Sequence, residues 1–298
     1  MKFKRWAAGI AALLLILSMG LISCAKPAGG TPEDNPVPQE EEEEEEIVSY
    51  KFGFSCISME NPYYETLEAS IREAIEESGS TLISRDPKGD STAQIQQIRD
   101  MIADGIQAIF LCPVDWEKIT PSLEALKEAD VKIVNVDTQV KEMDYVDAYI
   151  GSDNYNAGVL CGEDLIKRCP DGGKVAILEC PTQNSINERI TGFEEAISKA
   201  EVGFEIVARE NTDGKFEKSV EVAQNILKEH TDVTAIMCGN DQIAVGAQTA
   251  VNLLGMEDVI IYGVDGSPDI KKELENQTHR LQVQRHSLRS IWGKRLWK

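Results

Sequence analysis

The amino-acid sequence predicts an α/β protein built from two doubly wound parallel-sheet domains joined by a hinge. Three observations carry that expectation. From residue 48 onward, short continuous apolar runs alternate with amphipathic helices, and strands that are apolar throughout belong to parallel sheets covered on both faces. The alternation falls into two sets, four or five strands up to Gly151 and four more after Ser152, each of normal single-domain size. A chain of 298 residues has room for one large domain or two modest ones, at roughly 100 to 200 residues per domain.

The strands of the first set read as 50–57 (YKFGFSCI), 81–86 (TLISRD), 107–112 (QAIFLC), 132–137 (KIVNVD) and 148–153 (AYIGSD). Those of the second read as 174–180 (KVAILEC), 204–210 (FEIVARE), 234–239 (TAIMCG) and 259–265 (VIIYGVD). Helices such as NPYYETLEASIREAIEES and TAQIQQIRDMIADG lie between them, with apolar positions three and four apart, the spacing of one helix face.

The N-terminus has a different character. Lys2, Lys4 and Arg5 precede the apolar stretch Trp6 to Ile22, which runs into Ser23-Cys24. This reads as an export signal (1–23) with a lipoprotein cleavage box, and Cys24 as the lipidated residue; the competing reading is a retained helix of 17 residues, at the short limit for spanning a bilayer. Residues 24–46 are rich in Pro and Gly and close with seven consecutive glutamates, Glu40 to Glu46. Such a run repels itself and buries nothing, so it is expected to be a disordered, acidic tether. The expected organisation is therefore signal 1–23, linker 24–46, first lobe 47–151, second lobe 152–279 and an atypical tail 280–298.

Charge and composition exclude several functions. Thirty basic and 51 acidic residues give a net charge of -21, which argues against nucleic acid as a partner, since phosphate binding needs clustered Lys and Arg. The six cysteines other than Cys24 (Cys56, Cys112, Cys161, Cys169, Cys180, Cys238) show no C-x-x-C spacing, so neither a zinc site nor a redox dithiol is expected. No dinucleotide, Walker, G-x-S-x-G or H-E-x-x-H motif is present. Neither a cofactor nor a metal is expected, and the chain is read as a binding protein, not an enzyme.

In open parallel sheets ligands bind beyond the carboxyl ends of the strands. The residues there are Asn61, Tyr63 and Tyr64 after the first strand, Cys112 and Asp115 after the third, and Asp137 and Thr138 after the fourth. In the second half they are Asn184 to Arg189, Asn240 and Asp241, and Asp265. Carboxylates accept hydrogen bonds, amides do both, guanidinium donates in a fixed fork, and aromatics cover an apolar ring face. That set suits a polyhydroxylated ring. Each residue also has a plainer reading: Asn61 as a helix cap, the tyrosines as core, Asp137 and Asp265 as turn residues, Arg189 as a solvated helix residue. Asp137 and Asp265 could also be the acid and base of a glycosidase.

Six stretches together, NPYY, VNVDTQ, YIGSDNYNAG, NERITGFEEAI, CGNDQIAVGA and YGVDGSPD, resemble the periplasmic-binding proteins of the ribose/galactose type, receptors of ABC sugar importers, to about residue 279. The resemblance implies a type I periplasmic-binding-protein-like fold and a monosaccharide or polyol ligand delivered to a membrane permease by a monomer held at the membrane outside the cytoplasm. It implies ring stacking by Tyr63 and Tyr64, hydroxyl contacts from Asn61, Asp137, Arg189, Asn240 and Asp265, and a hinge near Gly151-Ser152; Thr138 is counted with them as a ligand-binding candidate by its place at the strand end. Some family members feed a chemoreceptor or sensor kinase instead. Ribose-like members often place Arg at Thr138, Asn at Cys112 and an aromatic at Gly214, so ribose itself does not follow; a hexose, a polyol or another sugar-like ligand fits as well.

Beyond Glu275 the composition changes. NQTHRLQVQRHSLRSIWGKRLWK has no acid, six Arg or Lys and two of the four tryptophans, where the resemblance leads to a strand like Thr-Ala-Thr-Gly-Ala. One choice of codons for Arg280 to Arg285, read one base out of step, gives Ala-Thr-Gly-Ala. The tail is thus read as a frameshift product, with a native basic amphipathic segment as the alternative.

Overall fold

The structure, a computed structural model, describes residues 49–256, 258–275 and 281–284. The export signal, Cys24, the glutamate tether and most of the basic tail lie outside the described residues.

Two parallel five-stranded sheets form the frame, as the apolar runs require. The first comprises β1 (Lys51–Ser55), β2 (Thr81–Arg85), β3 (Ala108–Leu111), β4 (Lys132–Val136) and β5 (Ala148–Ile150), in the order β2-β1-β3-β4-β5. The second comprises β6 (Gly173–Glu179), β7 (Phe204–Asn211), β8 (Val233–Cys238), β9 (Ile260–Val264) and β10 (Leu281–Gln284), in the order β10-β9-β8-β6-β7. Residues 281–284, counted with the tail from sequence, pair in parallel with β9 and carry the second sheet beyond residue 279.

The helices alternate with the strands: α1 (Pro62–Glu77), α2 (Ser91–Ala103), α3 (Thr120–Glu128), α4 (Asn154–Arg168), α5 (Asn184–Ser198), α6 (Phe216–Glu229), α7 (Asp241–Leu254) and α8 (Pro268–Glu275). Their starts follow from local chemistry. Asn61 caps α1, its side chain accepting from the Tyr63 N–H, and Pro62 occupies the first turn, where a missing N–H costs nothing. Asp90, Asp153 and Asn240 cap α2, α4 and α7 in the same way. On α1 the buried residues Tyr64, Leu67, Ile71 and Ile75 recur at helical spacing and seal one face of the first sheet with Phe54 and Val136. A second cluster around Ile98, Ile109, Leu123 and Ile133 covers the other face, and the second sheet has its own core around Ile177, Phe193, Met237 and Tyr262.

Each sheet reverses its winding direction once, between β1 and β3 in the first and between β6 and β8 in the second. Loops part at such points and leave a crevice at the carboxyl ends of the strands. Chain passes from one sheet to the other between Ile150 and Asn154. Two further contacts join the halves: the Trp116 N–H donates to the Thr182 carbonyl at 3.0 Å, and the Thr138 and Ser185 hydroxyls hydrogen-bond at 2.6 Å.

Candidate functional site

A cavity of about 800 Å³ opens between the two sets of strand ends. Asn61, Tyr63, Tyr64, Asp137, Arg189, Asn240 and Asp265 all line it. Thr138, the eighth expected residue, does not. It is fully buried and turned to Ser185, because Asp137 adopts a positive φ of 62° that swings the next residue under the strand end. Thr138, a candidate by its place at the strand end, here ties the two halves together.

The first wall rises from β1 and β4. Tyr64, 4% exposed, packs into the core and donates its hydroxyl to Asp137 Oδ2 at 2.9 Å. Its hydroxyl thus braces Asp137 from the core side of the cavity wall. Cys112, also buried, hydrogen-bonds Tyr64 Oη at 3.4 Å and Asp137 Oδ2 at 3.6 Å. Tyr149 holds the Asp137 main-chain carbonyl at 2.8 Å. Tyr63 stands edge-on to Tyr64, ring centroids 5.1 Å apart, and its buried hydroxyl has no partner among the described residues. Burial, opposed by Arg189 and Tyr64, leaves the Asp137 carboxyl above the usual carboxylate range.

The second wall is organised by Arg189, 5% exposed. Its Nη1 lies 3.1 Å from Asp265 Oδ1 and donates to the Gly239 carbonyl at 2.9 Å, while Nε donates to Asn154 Oδ1 at 3.0 Å. Local packing fixes this position. A Cβ at Gly158 of α4 would run into the Arg189 carbonyl oxygen, so only glycine there lets α4 and α5 approach closely enough for Asn154 to reach the guanidinium. Burial raises Asp265 to about 7 against the pull of Arg189, with Asp241 and Asp137 adding repulsion. Asn240 spends its Oδ1 capping α7, where it accepts from the Ile243 N–H at 2.9 Å.

Several lining residues escape the sequence reading, among them Glu60, Gln183, Phe216 and Gln242. Phe216, 36% exposed at the start of α6, presents an aromatic to the cavity two residues after Gly214, where the resemblance places one. Its place four residues before Val220 continues the apolar stripe of α6, so periodicity alone assigns it to the core. Among the described residues the six cysteines are free thiols, no cluster of His, Cys, Asp and Glu could hold a metal, and no helix is long and apolar enough to cross a membrane.

Switch-point cleft, paired sheets and polar strand ends define a two-lobed binding protein. Residues 52–281 match the periplasmic binding protein domain family, and the chain belongs to it. It is 28% identical to the ribose import binding protein of Bacillus subtilis over 229 residues, 76% of this chain and 73% of that one. It is 30% identical to the D-ribose/D-allose-binding protein of Pseudomonas aeruginosa over 230 residues, 74% of this chain and 72% of that one. Among solved structures, an ABC transporter solute binding protein from Mycobacterium smegmatis with bound glycerol superposes with a TM-score of 0.71 at 30% identity, covering 76% and 78% of the two chains. These relatives are transport binding proteins, not enzymes.

Proposed function

We propose that this chain is an extracytoplasmic receptor that captures a monosaccharide or related polyol between its two sheets and delivers it to the membrane permease of an ABC importer. It acts as a monomer tethered by a lipid on Cys24, with the glutamate-rich segment as spacer. The observation that carries this reading is the mixed set around one cavity: carboxylates of Asp137 and Asp265, the Arg189 guanidinium, the Asn61 and Asn240 amides, and the Tyr63 and Phe216 rings. Such a set matches hydroxyls that both donate and accept, around a ring with apolar faces. Relatives named for ribose, allose and apiose binding support the ligand class. Closure about the connection near Gly151-Ser152, by hinge motion, buries the ligand.

Calorimetric titration of the full chain with pentoses, hexoses, inositols and open-chain polyols tests this. At least one binds with micromolar affinity, about 8 kcal/mol, and Asp265→Ala weakens it by about tenfold or more. Absence of any sugar or polyol binding, with an amino acid or peptide bound instead, refutes the reading.

A further inference from the structure

The inner cleft holds more acid groups than it has cations paired with them. Three carboxylates, Asp137, Asp241 and Asp265, lie within the field of one guanidinium, Arg189. Arg189 forms its ion pair with Asp265 and gives its remaining described bonds to Asn154 and the Gly239 carbonyl. Asp137 has no Lys or Arg within ion-pair distance among the described residues; its carboxylate is held by the Tyr64 hydroxyl, the Cys112 thiol and the Thr138 main chain, with Arg189 acting on it only from a distance. Among the described residues, Lys88 and Lys215 line the cavity and Lys271 an adjoining pocket, none with an ion pair to these acids, and Lys118 is committed to Asp115 at 2.8 Å.

Among the described residues, two buried polar atoms beside this group also lack partners. Asp241 is 2% exposed; its Oδ2 accepts from the Ser267 N–H at 2.6 Å, but Oδ1 has no hydrogen bond among the described residues, and the residue lines an adjoining pocket that shares Asp137, Arg189 and Asp265 with the cavity. The Tyr63 hydroxyl is likewise without a partner. A buried carboxylate is ordinarily matched by an opposite charge. Neutral sugar hydroxyls offer dipoles but no net charge, whereas an ammonium offers a full charge and three donors to acceptors such as Asp137 and the Tyr63 oxygen. The adjacent position that could supply a cation from the protein holds Thr138, which is turned away to Ser185.

We infer that the ligand carries an ammonium group that sits against Asp137, making it an amino sugar or amino polyol. This rests on the proposed reading of the cleft as a sugar site and names its substrate class. Asn61, Asn240 and Gln242 remain for the ring hydroxyls.

The test is calorimetry of the full chain with matched pairs, each a neutral pentose, hexose or polyol and the same compound with one hydroxyl replaced by an amino group. The tightest ligand is an amine, binding at least about tenfold more tightly than its hydroxyl counterpart. Its N-acetyl derivative, which has no charge, loses that advantage. In Asp137→Asn the paired affinities converge to within about threefold; asparagine tolerates the positive φ there, and a melting curve reports whether the variant is folded. If it is not, the N-acetyl comparison on the natural chain decides. A neutral member that binds as tightly as its amine overturns the inference and leaves the sugar reading standing. Binding of neither member of any pair overturns both.

Discussion

Asp137 and Asp265 occupy equivalent places on opposite walls, each directly after a central or near-central strand and each with positive φ, 62° and 143°. Their surroundings differ. Asp265 faces a guanidinium at 3.1 Å, itself braced by an amide and a carbonyl. Asp137 faces a phenol and a thiol. One fold position is thus ion-paired on the second wall and hydrogen-bonded to uncharged groups on the first. Strain of this kind, a non-glycine residue held in a sparsely populated backbone region, persists where surrounding structure over-determines it, and it concentrates at binding sites.

The largest way to break the contrast is to remove the brace. Arg189→Met leaves Asp265 and Asp241 buried together without a cation, and breaking a buried pair from one side costs about 3–5 kcal/mol. Urea unfolding should show that loss, with ligand binding abolished. The corresponding cut on the first wall, Tyr64→Phe, removes one hydrogen bond to Asp137 and costs about 1 kcal/mol. Equal losses in the two variants would mean that the walls are not differently organised.

A smaller effect is electrostatic, and its sign follows from linkage. The Asp265 pKa of about 7 in the folded protein lies above the ordinary carboxylate value of 3.8. Between those values the folded state holds a proton that the unfolded state has released, so the Asp265 contribution to stability is greatest at low pH and declines as pH rises from about 4 to about 7. Unfolding free energies of the natural chain and Asp265→Asn, compared across pH 4 to 8, should differ by a term that shifts in favour of the variant as pH rises. A pH-independent difference would place the Asp265 carboxyl in the ordinary range, fully balanced by Arg189.

What the sequence made legible separates along the same lines. Nine strands announce themselves as continuous apolar runs. The tenth, Leu281–Gln284, alternates apolar and polar residues inside a basic segment and gives no such signal. Asn61 and Asn240 are readable because a cap must sit between a strand end and a helix start. Thr138 is misplaced because its neighbour's positive φ is invisible in a string of residue types: an aspartate before it looks the same whether the chain continues straight or turns under. Tyr64 is ambiguous for a related reason. Helical spacing puts it on the buried face with Leu67 and Ile71, while adjacency to Tyr63 suggests a shared role. Balance between Arg189 and three acids cannot be read at all from acids 52 to 76 residues away from it, since only distances decide which acid is paired.

The smallest expected effect tests the tie that replaces the expected Thr138 ligand contact. Thr138 and Ser185 are both buried, and their hydroxyls join the first half of the chain to the second at 2.6 Å. The contact exists only while the lobes hold this arrangement. Thr138→Val keeps the shape of the side chain but leaves the Ser185 hydroxyl without its partner, at a cost of about 1 kcal/mol. If the arrangement is the binding-competent one, that cost falls on its population, and ligand affinity drops by about fivefold without loss of any ligand contact. Small-angle scattering of the variant without added ligand should show a larger radius of gyration than the natural chain, and saturating ligand should restore it. A drop in affinity with unchanged scattering would instead return Thr138 to the ligand-facing role that its position beside Asp137 first suggested.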